Sequence, residues 1–400
     1  MMLRRNLLVF NMGLASLITS GVHADELDIL QFRAHQTWQY DSNVFRLSDF
    51  VANQDVIGSP TRSDHFGVTT IGAKIDKSYG LQRFEIDVNA NRYNYKNFSK
   101  INFTAVNYAA AWRWSVTPAL YGNLTTDRKE YTDNTADVQN QGQLNRRTDL
   151  LTLLDAEYVI DGPWRVLGGI LERSTTNSQS STFESDSKIR GIEAGVRYVF
   201  ASESSFAYRF KQGRGEYPNR FSSSTFVRDF KDREHEFKFV WPITGKTTIQ
   251  SRLSYFDRLH DRLESRNFSG LIGQFDAAWL VTRKTTLAGG IVRDLGNYQT
   301  NNISYFQGNR FFIAPTWKPT EKTAVKFRYD YGVRNYKGSL PGFISTNRRD
   351  TNDLAVLGFE WDVIRAVKVT TSVFTDRRKS NELNADYKSH GVNLSVLANF

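Results

Sequence analysis

Beyond its first 24 residues the chain carries five histidines, His35, His65, His235, His260 and His390, each far from the others in sequence. Metal sites built on one element need ligands at short spacing, as in HExxH, and no such pair occurs. There is no G-x-S-x-G elbow to present a serine nucleophile. The absence of cysteine removes thiolate chemistry and disulfides together. His260-Asp261 comes nearest to an acid–base pair, and in an outer loop it is expected to be a solvated pair. Gly213-Arg214-Gly215 is a lone G-x-G, expected as a flexible strand end rather than a phosphate cradle. Asp41-Ser42-Asn43 is expected as a turn, because these side chains hydrogen-bond nearby backbone; a contact to sugar or a cation is the sharper reading. The sequence therefore predicts no enzyme, no catalytic residue, no cofactor and no bound metal.

What chemistry remains is charge at alternate positions. Arg165, Arg173, Arg197, Arg209, Arg252, Lys326, Arg328, Arg334 and Lys368 fall on the polar parity of their segments. Asp149, Asp155, Glu157, Glu193, Asp276 and Glu360 share that parity. Such residues would line a hydrated, mixed-charge pore that lets a charged sugar polymer pass without sticking. They would equally form the cross-strand ion pairs found inside any porin-sized barrel. Arg146-Arg147, Arg348-Arg349 and Arg377-Arg378-Lys379 cluster at loop bases, where lipopolysaccharide phosphates or plain solvation would account for them.

The elements that position these charges are strands. In RRTDLLTLLDAEYVI, Leu150, Leu154, Ala156, Tyr158 and Ile160 share a face opposite Arg147, Asp149, Asp155 and Glu157. In TAVKFRYDYGVRNY, Val325, Phe327, Tyr329, Tyr331 and Val333 lie opposite Lys326, Arg328, Asp330 and Arg334. A two-faced segment this long exceeds the usual five or six residues of a globular strand and suits a tilted membrane-spanning strand of about 9–11 residues. Tight connections at 78–81, 115–118, 161–163, 201–204, 242–246, 282–284, 319–322 and 364–366 alternate with mostly longer polar ones at 41–63, 96–101, 132–145, 177–186, 218–230, 259–267, 299–307, 337–349 and 378–387. Eight short and nine long connections imply 18 strands; one miscounted hairpin gives 16. Outer-membrane barrels show this asymmetry, with short periplasmic turns and longer extracellular loops.

Tryptophan supports the segmentation. Trp112, Trp114, Trp164, Trp241, Trp279, Trp317 and Trp361 all lie near a short turn. Tyr40, Tyr95, Tyr131, Tyr298 and Tyr336 lie near long connections, so two aromatic girdles are expected at the two membrane boundaries. A soluble sandwich would not place Phe206, Tyr208 and Phe210 on one face in hairpin after hairpin. In the final segment, VNLSVLANF, Val392, Leu394, Val396, Ala398 and Phe400 fall on one parity. It resembles the terminal signal by which bacterial outer-membrane proteins are read by the barrel-insertion machinery.

The first residues read as a basic start, a short apolar run and a cleavage site after Ala24, so 1–24 is expected as a signal peptide and 25–400 as one outer-membrane barrel. Without Arg4 and Arg5, 50 basic residues face 42 acidic ones, a net charge of about +8 spread along the chain. A nucleic-acid binder would concentrate that charge, and none is expected as partner. The mean hydropathy of −0.48 fits no helical membrane protein.

The string WQYDSNVFRLSD, Trp38 to Asp49, followed by RSDHFGVTTIGAKIDKSYGLQRFEIDVNANRYNY, resembles the EpsL-type outer-membrane proteins of bacterial exopolysaccharide clusters, which often accompany the exosortase and PEP-CTERM sorting system. The likeness continues through NYAAAWRWSVTPALYGNL, WRVLGGI and GIEAGVRYVF. It implies a barrel in the outer membrane of a Gram-negative bacterium, involved in exopolysaccharide biosynthesis and export, with no catalytic residues to carry over. Its expected partners are outer-membrane lipid, lipopolysaccharide and the extracellular polysaccharide, with sugars stacking on lumen aromatics such as Phe256. The alternatives are a general diffusion porin and an accessory or structural barrel of the exopolysaccharide machinery.

Overall fold

The computed structural model describes residues 29–133, 144–179, 186–220, 223, 227–298 and 300–400. The expected signal peptide and most of the connection at 132–145 lie outside the described residues. Eighteen antiparallel strands follow one another: β1 (Leu30–Asp41), β2 (Asp64–Tyr79), β3 (Gln82–Tyr95), β4 (Phe103–Thr117), β5 (Leu120–Asp133), β6 (Asn145–Asp161), β7 (Trp164–Asn177), β8 (Ser187–Val199) and β9 (Ser205–Glu216) make the first half. The second half is β10 (Asp229–Thr244), β11 (Thr247–His260), β12 (Phe268–Thr282), β13 (Thr285–Asn297), β14 (Tyr305–Thr320), β15 (Thr323–Lys337), β16 (Arg349–Ile364), β17 (Val367–Ser380) and β18 (Tyr387–Asn399). Each strand pairs with its sequence neighbours, and β1 also pairs with β18, so the sheet closes on itself. The expectation of 18 strands holds.

Closure follows from the solvent. In hydrocarbon no water can satisfy a free N–H or C=O, so only a sheet without edges can cross. At the seam Arg33 faces Asn399 and Asp41 faces Gly391, and the Phe400 N–H donates to the Phe32 carbonyl at 2.8 Å. Seven of the short turns hold two residues and the one after β8 holds five, 200–204. Gly80 (φ 58°) and Gly162 (φ 47°) supply the left-handed backbone that such hairpins favour.

Alternation gives the wall two faces. The outward face is apolar: Ile71, Phe84, Ile170, Ile192, Leu271 and Ile291 stand exposed in positions that lipid would cover. Trp112, Trp164, Trp241, Trp279, Trp317 and Trp361 also point outward, near the short turns, with 41–52% of their surface open. This is the expected tryptophan girdle. The tyrosine girdle is corrected for four of its five members: Tyr40 shares the outward parity of Trp38, whereas Tyr95, Tyr131, Tyr298 and Tyr336 are only 3–6% exposed and point into the barrel. Their parity already opposed the girdle, since Tyr95 shares a face with Asn89 and Asn91. Proximity to a loop says nothing about which side a ring takes.

Inside the loop end of the barrel, large rings lie across glycines on the neighbouring strand. Phe230 faces Gly215, Phe306 faces Gly296 and Phe374 faces Gly391 in the registers. A Cβ on these glycines would sit 2.3, 2.1 and 2.3 Å from ring carbons. Gly215 is therefore needed as a seat for Phe230 rather than for flexibility. Replacing Gly296 with valine is expected to destabilise the barrel by about 1–3 kcal/mol through overpacking. The readout is the temperature at which the compact band disappears on a heated gel; an unchanged temperature would show that the ring does not rest there.

Candidate functional site: the inner wall of the barrel

The inner wall has two layers, and the upper one is built by loops folded into the mouth. Residues 42–63, between β1 and β2, carry Asn43, Val44, Phe45, Arg46, Leu47 and Ser48 into burial. Asp41 starts the inward turn by accepting the Asn43 backbone N–H at 2.8 Å, and the Asn43 amide closes it by donating to the Leu47 carbonyl at 2.8 Å. Phe45 meets Phe98 edge-on at 4.8 Å, and Val44, Leu47 and Ile57 pack with them against Tyr95. Arg46 lands on the barrel seam. Its guanidinium pairs with Asp41 of β1 and Asp376 of β17 at 2.9 Å each, and lies over the Tyr387 ring of β18. Burial works against the Arg46 charge, but Asp41 and Asp376 outweigh it and hold the group above its ordinary value.

Similar nodes stand around the mouth. Arg348 donates to both oxygens of Asp350, at 3.1 and 2.8 Å, and lies 4.3 Å from the Tyr336 centroid. Arg258 grips Asp232 with two bonds of 2.8 Å and lies 4.0 Å from the Phe230 centroid. Charges largely withdrawn from water are tolerated when paired and hydrogen-bonded in this way. In the loop after β11, burial and the nearby Arg220 push Arg266 down to about 10, while its guanidinium donates to the Thr300 and Ile303 carbonyls.

Below the mouth the wall is wetter. Arg197 and Arg165 both reach Glu157, at 2.6 and 3.9 Å. Arg209 reaches Glu193 at 3.4 Å, and Arg252 reaches Glu234 at 3.4 Å and Glu236 at 3.5 Å. Gly195 lets Arg209 lie along the wall, because a Cβ there would come 2.9 Å from its Cγ. Across the barrel, Lys326 and Lys368 share Glu360 at 2.6 and 3.9 Å, and Arg328 pairs with Asp330 at 2.5 Å.

Arg165, Arg197, Arg209, Arg252, Lys326 and Arg328 all lie in contact with carboxylates of the charged face. Arg334 sits higher, 4.2 Å from the Phe306 centroid. The structure corrects three further expectations. His260 and Asp261 do not form a solvated pair: His260 is buried beside Tyr217 and Phe230, and Asp261 pairs with Lys231 at 3.0 Å. Phe256 packs against Phe268 and Ile272 at 4% exposure, so no sugar can stack on it. The basic clusters at loop bases split by parity. Arg147, Arg348 and Arg378 turn in and are buried, whereas Arg146, Arg349, Arg377 and Lys379 remain for the outer surface. Sequence reading missed Arg46, although it lies inside YDSNVFR, because nothing local says that a loop arginine will meet an aspartate 330 positions away. Strand parity in HEFKFVW sets Glu236 and Lys238 opposite Phe237 and Phe239, on the polar face; Lys211 and Glu234 escaped notice, although the same parity extends to them.

No protein-family model matches the sequence, and no curated protein does. Solved structures do: Pseudomonas aeruginosa OccK9 (OpdG), at 12% identity and a TM-score of 0.51, aligns over 93% of this chain and 98% of its own. P. aeruginosa OccK2 (OpdF) gives 12% identity and 0.51 over 93% and 97%, and its complex with glucuronate gives 0.50 over 93% and 98%. At such identity the likeness establishes the fold. The chain is a closed 18-stranded antiparallel barrel with an apolar outer belt.

The Arg46 node yields a test. Arg46→Met strands Asp41 and Asp376 in a buried site, which should cost about 3–5 kcal/mol and lower the urea midpoint. Arg46→Lys should recover little, because an ammonium cannot reproduce the guanidinium fork. Unfolding at the wild-type midpoint would show that the loop does not fasten the seam.

Proposed function

We propose that this barrel is a passive channel for small hydrophilic solutes. The observation that supports the reading best is the lower inner wall, where charged side chains line the interior and stay accessible to water: Arg197 keeps 30% of its side-chain surface and Lys368 34%. A wall sealed against water would bury such groups far more completely. A circumference of 16–18 strands encloses an aqueous passage in porins. Solutes would move down their gradients past groups already held in ion pairs, which reorganise little as a solute passes.

A second reading is passage of an exopolysaccharide, with the barrel as conduit or as accessory to the machinery. Its support is the resemblance centred on Trp38–Asp49. That string builds the inward turn and the Arg46 node, so it speaks to how the mouth is assembled more than to a sugar. In the same reading, outward Arg146, Arg349, Arg377 and Lys379 suit lipopolysaccharide phosphates. Deleting the gene and measuring polymer in medium and periplasm separates the two. Unchanged secretion is expected of a general channel; polymer trapped inside would favour the exit route.

Conductance tests the main reading. The refolded chain in a planar bilayer is expected to give discrete steps in potassium chloride, and liposomes containing it should swell in small sugars. A folded, inserted barrel that gives neither would contradict a channel.

A further inference from the structure

The charges on the lower wall are not evenly shared. On β7–β11 the inner face carries Arg165, Arg197, Arg209, Lys211, Lys238 and Arg252. The carboxylates within reach are Glu157 of β6, Glu193, Glu234 and Glu236. Across the barrel the wall is closer to balance, and Lys368 stands directly opposite Asp362 in the register, 3.5 Å away.

The register makes the excess specific. Arg165 is directly opposite Arg197, and Lys238 is directly opposite Arg252. Like charges placed opposite one another on adjacent strands destabilise a sheet. Glu157 relieves the first pair by bonding both members. The second pair is relieved on one side only, as Arg252 leans toward Glu234 and Glu236. Lys238 forms no hydrogen bond or ion pair among the described residues. The charges acting on it are Arg209, Glu236, Arg197 and Lys211, and Glu236 is held by Lys211 at 2.6 Å.

Depth separates the signs as well. The side chains of Glu157, Glu193, Glu234 and Glu236 keep only 5–9% of their surface, whereas their cationic partners keep 14–30%. The acids lie against the wall and the cations stand over them toward the water. A passing solute therefore meets positive charge first, with the acids spent on holding the cations in place.

We infer that this strip selects anions, and that the solutes carried are small oxyanions, bearing carboxylate or phosphate. The inference rests on the channel reading. Guanidinium groups suit both anion types, since each offers paired oxygens to the fork. Stepwise exchange from one cation to the next gives binding weak enough at each position to allow release, as conduction requires.

The test is the reversal potential of the full mature chain in a planar bilayer across a potassium chloride gradient. Wild type is expected to pass chloride in preference to potassium. Lys238→Gln with Arg197→Gln should bring the preference toward none, and Lys238→Glu with Arg252→Glu should reverse it, with step currents showing that each variant has folded. A cation-preferring wild type, or a preference that these changes leave alone, would overturn the inference while leaving a channel. Absence of any current would overturn the channel and the inference with it. Wild type alone gives an independent check by ion replacement. Bulky Tris in place of potassium should cost less current than bulky HEPES in place of chloride. Acetate or phosphate in place of chloride should sustain the current, and whichever is carried better identifies the oxyanion; carriage of neither would overturn the inference.

Discussion

Everything in this molecule depends on the pairing of β1 with β18. A sheet in hydrocarbon cannot leave an edge, because each unsatisfied backbone group there costs several kcal/mol. Once the seam from Arg33–Asn399 to Asp41–Gly391 is made, every strand has two neighbours and alternation divides the side chains between two solvents. Lipid receives Ile71, Ile170 and Leu271; water inside receives Arg165, Arg197 and Lys326. The seam is also where the chain spends its strongest buried contacts. Arg46 ties β1 to β17 through Asp41 and Asp376, and Ser389 of β18 donates to Asp41 at 2.6 Å.

The two layers of the interior answer different demands. Near the mouth, aromatic rings seated on glycines and arginines clamped to buried aspartates make a rigid collar that holds loop 42–63 inside. Lower down, where a solute would move, rings give way to long charged side chains with water access. Rigidity above and hydration below belong together: the collar fixes the strand ends, so the ladder of cations can keep its spacing without its own packed core.

Much of this could be read from the sequence. Period-2 patterning is local, so strand number, the positions of short turns and the inward faces of Arg209 and Arg328 were all legible. Tryptophan near short turns was legible for the same reason. Contacts between distant segments were not. Arg46–Asp376, the burial of His260 and the covering of Phe256 all depend on loops folding inward, which no window of neighbouring residues encodes. The tyrosine girdle failed differently. Tyr95 and Tyr336 were assigned from nearness to loops, although their own parity placed them inside. The surplus of positive charge on β7–β11 needed the register as well, since only that puts Lys238 across from Arg252.

The central claim is that alternate residues of one strand face water within the barrel and lipid outside it. The chain contains no cysteine, so single cysteines report cleanly. In outer-membrane vesicles, Lys238→Cys and its neighbour Phe237→Cys would be exposed to a small, water-soluble, membrane-impermeant thiol reagent. Rapid labelling at 238 with protection at 237 is the predicted result. Equal labelling, or labelling at 237 alone, would contradict a water-filled interior bounded by this wall.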